Sequence, residues 1–169
     1  MSTPHVGAAA RYRSVDAAGL VEVLLAEERE LDFDRFSLDD AWALGVSLRT
    51  VAVERALGIG IGIVLGEQRA FHVGTTGAAA LNDAWLDRKF RVVRHYGHSS
   101  LTVHAQYLAA GESFETDAHL DPQLYAAAGG AVPIRVRGAL VGAVGVSGLE
   151  MHEDHALVVE ALRSHHGDR

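Results

Sequence analysis

Arg88, Lys89, Arg94 and His98 crowd one short stretch of the chain, and Ser99 and Ser100 follow directly. Cations closing one helix, with serines opening the next, could together form an oxyanion site, because free helix N-terminal N–H groups and guanidinium forks both recognise such groups. A carboxylate or a phosphate would suit it. The competing reading pairs these cations with Asp83, Asp87 or a neighbouring subunit, leaving a salt-bridged, solvated face.

His98 and His155 are candidates for a metal ligand, since a neutral imidazole nitrogen is a common one. A histidine that caps a helix or bridges an interface is the alternative at both positions. Asp154 could orient His155 or a water, but adjacent helical residues point about 100° apart, and its ordinary role is a charge in the first turn. His95-x-x-His98 and His152-x-x-His155 could in principle bring four imidazoles to one zinc ion. Against this, Gly97 interrupts the first pair, and neither segment has the H-E-x-x-H arrangement. Tyr125, ahead of Gly129-Gly130, could line a pocket or sit half-buried beside a turn. Ser147 lies in Gly145-Val146-Ser147-Gly148-Leu149, which is not the G-x-S-x-G of a hydrolase and reads as a strand end. The chain has no cysteine, so thiolate chemistry and disulfides are excluded.

Positioning these groups requires ordered elements, which the hydrophobic spacing supplies. Val15, Leu20, Val23, Leu24 and Leu31 recur at near-helical intervals until Asp32 and Asp34. Ser37 and Asp40 form a capping signature for a second helix, in which Trp42 and Leu48 are expected to face the core. Gly58 to Leu65 alternates Gly with Ile, so it reads as a strand rather than a phosphate loop: one face is glycine, open to a closely approaching helix, and the other is isoleucine. Arg69 to Thr75 returns antiparallel. A long helix then runs from Gly77 to Tyr96, with Gly97 as its terminator and Ser99 or Ser100 capping a further helix that ends near Gly111. Asp121 to Ala128 supplies a short helical turn. Ala131 to Arg137 and Ala139 to Ser147 read as a hairpin, and His152 to His166 as a closing helix, with His165 and His166 in a frayed tail. The second hairpin strand is apolar on both faces, which calls for helices on both sides of the sheet. Two hairpins are not the strand-helix alternation of a dinucleotide-binding fold.

The expected organisation is a flexible N-terminus over 1–13, one domain over 14–166 and a tail over 167–169. With 169 residues, 49% hydrophobic and 22% charged, the chain can bury a substantial core. A net charge of −7 speaks against nucleic acid as a partner. Met1 to Arg13 has no apolar core of signal-peptide length and nothing later approaches the length of a spanning helix, so a soluble cytoplasmic protein without membrane association is expected.

Several segments together resemble one family: Glu27-Glu28 with Phe33, Asp40-Ala41-Trp42, Asn82 to Lys89, Val93-Arg94 and His98-Ser99-Ser100. Tyr125, Gly129-Gly130, Pro133, Val146 to Leu149 and Asp154-His155 extend the match. The chain is similar to the haem-degrading-domain family, relatives of haem-binding sensor proteins and glycolate-operon proteins. The resemblance implies an α/β (α+β) fold, a three-layer α-β-α sandwich with a profilin-like antiparallel sheet of about five strands covered by helices on both faces. It also implies a homo-oligomer that binds haem, with oxidative haem breakdown as the suggested reaction. Arg88, Lys89 and Arg94 would then hold the propionates, and His98 or His155 would meet the iron, with Ser99, Ser100, Tyr125 and Asp154 nearby. A low aromatic content, 7%, favours instead a non-enzymatic assembly or adaptor protein of the protein-targeting or chaperone-associated kind. A small organic-acid binding domain, using the same cations for an anionic ligand and no iron, is the third reading.

Overall fold

The alternating glycines and isoleucines dictate how the layers meet. In a computed structural model, which describes residues 4–167, β2 (Gly60–Leu65) and β3 (Gln68–Gly74) form a hairpin, and Gly66 makes its turn at φ +58. Ile61 and Ile63 point into the main core with no exposed surface. Full burial of such a side chain contributes about 1.5–3 kcal/mol. On the other face, a Cβ at Gly60 would lie 3.2 Å from Asn82 and one at Gly62 3.2 Å from Phe90, so the glycines let α4 (Ala80–Tyr96) rest against the sheet.

The five strands are ordered β1-β4-β5-β2-β3. β4 (Ala131–Val136) and β5 (Ala139–Ser147) are the second hairpin, β5 lies antiparallel between β4 and β2, and the short β1 (Asp32–Phe33) adds in parallel at the β4 edge. Val144 and Val146 of β5 join the isoleucine side, where α3 (Leu38–Glu54) and α7 (Met151–Gly167) pack, while Ala143 faces Leu86 and Phe90 of α4. The fold is the expected three-layer α-β-α sandwich. α2 (Ala17–Glu30) and α5 (Ser100–Ala109) pack together, and the four-residue α6 (Phe114–Asp117) follows.

Local signals set the helix boundaries. Ser37 Oγ accepts the Asp40 N–H, and Asp40 Oδ2 accepts the Ser37 N–H at 2.6 Å, a complete capping box for α3. Gly97 ends α4 at φ +73, and Ser99 caps α5 by accepting the Thr102 N–H at 3.0 Å.

Four expectations need correction. Within the N-terminus expected to be flexible, residues 1–3 lie outside the described residues and residues 4–13 are helical: α1 (Pro4–Arg13) packs on α7, and Ala9 and Tyr12 are buried. Its alanine-rich sequence has no apolar stripe, and its anchor is the Tyr12 hydroxyl, which donates to Glu27 at 3.0 Å. Trp42 does not face the core with Leu48; it is 65% exposed and sets the edge of its ring against Phe71. The helical turn expected over Asp121 to Ala128 is present but shorter: the Leu124 and Tyr125 N–H groups both donate to the Asp121 carbonyl at 3.0 Å, Ala126 to Ala128 follows as irregular chain, and a separate short helix lies earlier, at α6. His165 and His166 stand on α7 against Phe33, so that part of the tail is ordered helix, and residues 168–169 lie outside the described residues.

Candidate functional site

Two adjacent carboxylates of α2 organise the site. Glu27 and Glu28 lie three and four residues after Leu24, on the face that α2 buries, and both are buried. Each meets one of the candidate histidines. Glu28 Oε2 lies 2.8 Å from His98 Nδ1, while Oε1 accepts the Ser99 N–H at 2.7 Å and the Thr102 hydroxyl at 2.8 Å. The anion expected at the start of α5 is therefore the protein's own Glu28 carboxylate, held where a helix N-terminus favours negative charge. Ser100 Oγ accepts the Ala131 N–H at 3.1 Å and latches α5 to β4.

Glu27 Oε2 lies 3.3 Å from His155 Nε2, and the Tyr12 hydroxyl and the Arg11 guanidinium complete its contacts, the latter at 2.6 Å. Burial alone would raise the Glu27 pKa, but its bonds to His155 and Tyr12 and the charge of Arg11 outweigh it and hold the carboxyl below its ordinary value. His155 is 2% exposed, with its ring edge against Tyr12, and its Nδ1 is buried without a partner. Its ring therefore presents almost no surface to solvent.

His98 differs in being reachable. It stands between α4 and α5 at a hollow of about 350 Å³, bordered by Leu25, Arg29, Asp32, Arg135 and Gly138. Arg135 donates from its guanidinium to the Gly97 carbonyl and so braces the loop that carries His98.

The cations expected to share a hollow with His98 do not. Arg88 stacks 4.2 Å over the Trp85 ring, donates to the Pro122 carbonyl at 2.7 Å and borders, with Tyr125 and Phe114, a hollow of about 150 Å³. Arg94 lies at a different shallow depression with Glu67, Arg69 and Asp87. Lys89 is buried with Asp154 Oδ2 3.0 Å from its Nζ. At about 100° of turn per residue, Arg88, Lys89 and Arg94 leave α4 on three different sides, and this disperses them. The pairings envisaged for Asp83 and Asp87 exist, but with His72 and Arg69.

The Lys89–Asp154 pair accounts for several of the singled-out motifs at once. Lys89 also donates to the Val146 carbonyl at 3.2 Å, and Asp154 Oδ1 accepts the Leu149 N–H at 3.0 Å. Burial raises Asp154 to about 6 against the opposing charge of Lys89, and burial lowers Lys89 against the charge of Asp154. The four histidines weighed for zinc are apart: His95 lies against Tyr125, His152 pairs with Glu150, and His98 and His155 with Glu28 and Glu27. Among the described residues no group of three or more His, Asp or Glu side chains is placed to hold a metal ion. No helix among them is long and apolar enough to cross a membrane.

The architecture defines a domain class, the layered α-β-α sandwich seen in several solved structures. The Ybr137w protein superimposes with a TM-score of 0.81 at 28% identity, covering 88% of each chain. A protein crystallised as a PduOC:haem complex superimposes at 0.64 over 76% of this chain and 94% of its own, at 17% identity, which shows the fold alone. A UPF0303 protein of Streptomyces avermitilis is 51% identical over 140 residues, 82% of this chain and 86% of that protein. Residues 36–163 match the HbpS-like haem degrading protein family, and the chain belongs to that family.

Proposed function

We propose that this chain binds haem at the His98 hollow, with His98 Nε2 as the iron ligand. The observation that carries the reading is the Glu28–His98 contact. A carboxylate accepting Nδ1–H fixes the imidazole tautomer and ring orientation and leaves Nε2 as the ligating nitrogen, the usual arrangement around a metal-bound histidine. Leu25 offers an apolar wall, and Arg29 and Arg135 are cations at the rim for the propionates. The hollow is near the lower end of the roughly 300–1,000 Å³ of small-molecule sites, so it encloses part of a porphyrin and leaves an edge open. Family membership and the haem complex of the PduOC protein support the same reading. When bound, haem would supply redox chemistry at its iron, and the chain's part is to hold the imidazole, bind the carboxylates and control access.

Hemin titration followed at the Soret band tests it. The expected result is a saturable shift at one haem per chain, abolished in His98→Ala and retained in His155→Gln. An identical shift in His98→Ala overturns the assignment.

A second reading, an assembly or adaptor protein that self-associates, is favoured by a separate observation. Leu38, Trp42, Val46 and Val53 are exposed on the outer face of α3. At helical spacing they form one stripe with Arg49. If two copies of α3 pack antiparallel about a two-fold axis between Gly45 and Val46, Leu38 meets Val53 and Trp42 meets Arg49, twice over. The stripe is self-complementary in both apolar and cation–π partners.

A further inference from the structure

Between the first turns of α4 and α7 lies a hollow of about 240 Å³ that the haem reading leaves unused. Leu81, Trp85, Leu149 and Met151 wall it, and Asn82, Ser147, Lys89 and Asp154 supply its polar groups. We propose that this hollow binds a small monocarboxylate, whose oxygens accept hydrogen bonds from Lys89, Asn82 and Ser147.

The donor inventory carries the argument. Lys89 Nζ has three protons, and the structure gives it two acceptors, Val146 O and Asp154 Oδ2, so one N–H of a side chain only 3% exposed is unclaimed. A buried ammonium proton without an acceptor is costly, and an oxygen ligand in the hollow supplies the acceptor. Asn82 accepts the Ala79 N–H through Oδ1 at 2.8 Å, which leaves its amide protons as donors. Ser147 is buried at the end of β5 and adds a hydroxyl.

Charge selects an anion over a neutral acceptor. Asp154 is balanced from within, by Lys89 and by the backbone N–H groups of Leu149 and Gly148. α4 turns its positive N-terminal end to this place through Leu81 and Asn82, whereas the first N–H groups of α7 are already accepted by Glu150. Size limits the guest: at about 30 Å³ for each water-sized atom, the volume holds about eight. A two- to four-carbon acid fits, and its short apolar part would meet Trp85 and Met151.

The same carboxylate chemistry is present on a haem propionate, and the two sources separate experimentally. In a Trp42→Phe background, Trp85 is the remaining tryptophan, and its emission is followed while sodium lactate is added to haem-free protein at constant ionic strength. A saturable change with lactate and none with the uncharged lactamide is the expected result. Affinity should fall at least tenfold in Lys89→Met and in Ser147→Ala, the second variant guarding against a folding defect in the first. His98→Ala should bind lactate as the parent does while losing the Soret shift, so failure here and failure of the haem reading are distinguishable. No saturable change in folded protein, or the same affinity in Ser147→Ala and Lys89→Met, overturns the proposal. So does a hemin affinity that falls in Lys89→Met without any lactate binding, which would make the carboxylate a propionate.

Discussion

Gly130 has no side chain because Lys89 occupies the place: a Cβ there would fall 2.7 Å from Lys89 Nζ and 2.6 Å from the Val146 carbonyl oxygen. Its φ of +124 is also one that residues with a Cβ rarely adopt. The lysine reaches its carboxylate by crossing the backbone at the entry to β4, and Gly130 is what leaves that path open. Gly130→Ala should therefore lose roughly 3 kcal/mol, overpacking and backbone strain acting together. The urea midpoint measures it, and a change within experimental error would mean that the lysine has another route.

The Lys89–Asp154 pair should show strong non-additivity. Removing one partner leaves a buried charge and costs about 3–5 kcal/mol, whereas replacing both with apolar residues of similar volume is close to neutral. Lys89→Met and Asp154→Leu singly should each be severe, and the double variant should recover most of the loss. A denaturation cycle over the four proteins gives the coupling. Additive losses would show that the two side chains do not share one free-energy term.

The pH dependence of stability should carry two contributions of opposite sign. Asp154 is raised from 3.8 to about 6, so the folded state binds its proton first, and across that window stability falls as pH rises. Glu27 is lowered, so its contribution is present above the ordinary glutamate value and is lost as pH falls through its folded value. Unfolding free energies of Asp154→Asn and Glu27→Gln, measured at intervals from about pH 2 to 8, should differ from the parent with opposite slopes, the Asp154 difference arising between its ordinary value and about 6 and the Glu27 difference below the ordinary glutamate value. Slopes of the same sign would mean that one burial argument is wrong.

The layers were readable because the Gly/Ile alternation of β2 encodes two different neighbours, and Ser37, Gly97 and Ser99 mark helix ends locally. The site was less so. Ser99 pointed to an anion at α5, but nothing between residues 88 and 100 tells that the anion is Glu28, seventy-one positions away from Ser99. The legible signal lay on α2, where Glu27 and Glu28 stand on the apolar face with Leu24 and Leu31, a placement that requires buried partners. Trp42 misled because a large apolar residue on a periodic helix reads as core, and periodicity does not say which side the sheet will cover.

Glu28→Gln should separate the capping role of this side chain from its role at His98. A neutral amide keeps an oxygen for the Ser99 N–H but no longer offers a carboxylate to both Ser99 and the imidazole. The loss in thermal stability should be moderate, about 1–2 kcal/mol for a weakened charge-assisted cap. Hemin affinity should fall about tenfold or more while the Soret maximum of the bound form stays in place, as expected when an orienting partner of a ligand is altered. A shifted maximum would mean that the ligand itself had changed.

The α3 stripe yields a test that stability cannot confound. Trp42 is 65% exposed and Val46 39%, so a charge at either position leaves the core intact. Trp42→Glu should change folding free energy by little, since a surface substitution of this kind stays within about 0.5 kcal/mol. If α3 pairs antiparallel with a second copy, the same substitution puts a carboxylate opposite Arg49 but removes both aromatic faces from the centre of the contact. Val46→Glu sets two like charges close together across the axis. Sedimentation or light scattering should then show the parent as an even-numbered assembly and Val46→Glu as a smaller species that still unfolds cooperatively, its melting temperature lower only by what association contributes. Trp42→Glu should fall between them, because its new ion pair with Arg49 offsets part of the lost apolar contact. A parent that sediments as a monomer at all concentrations removes the pairing altogether.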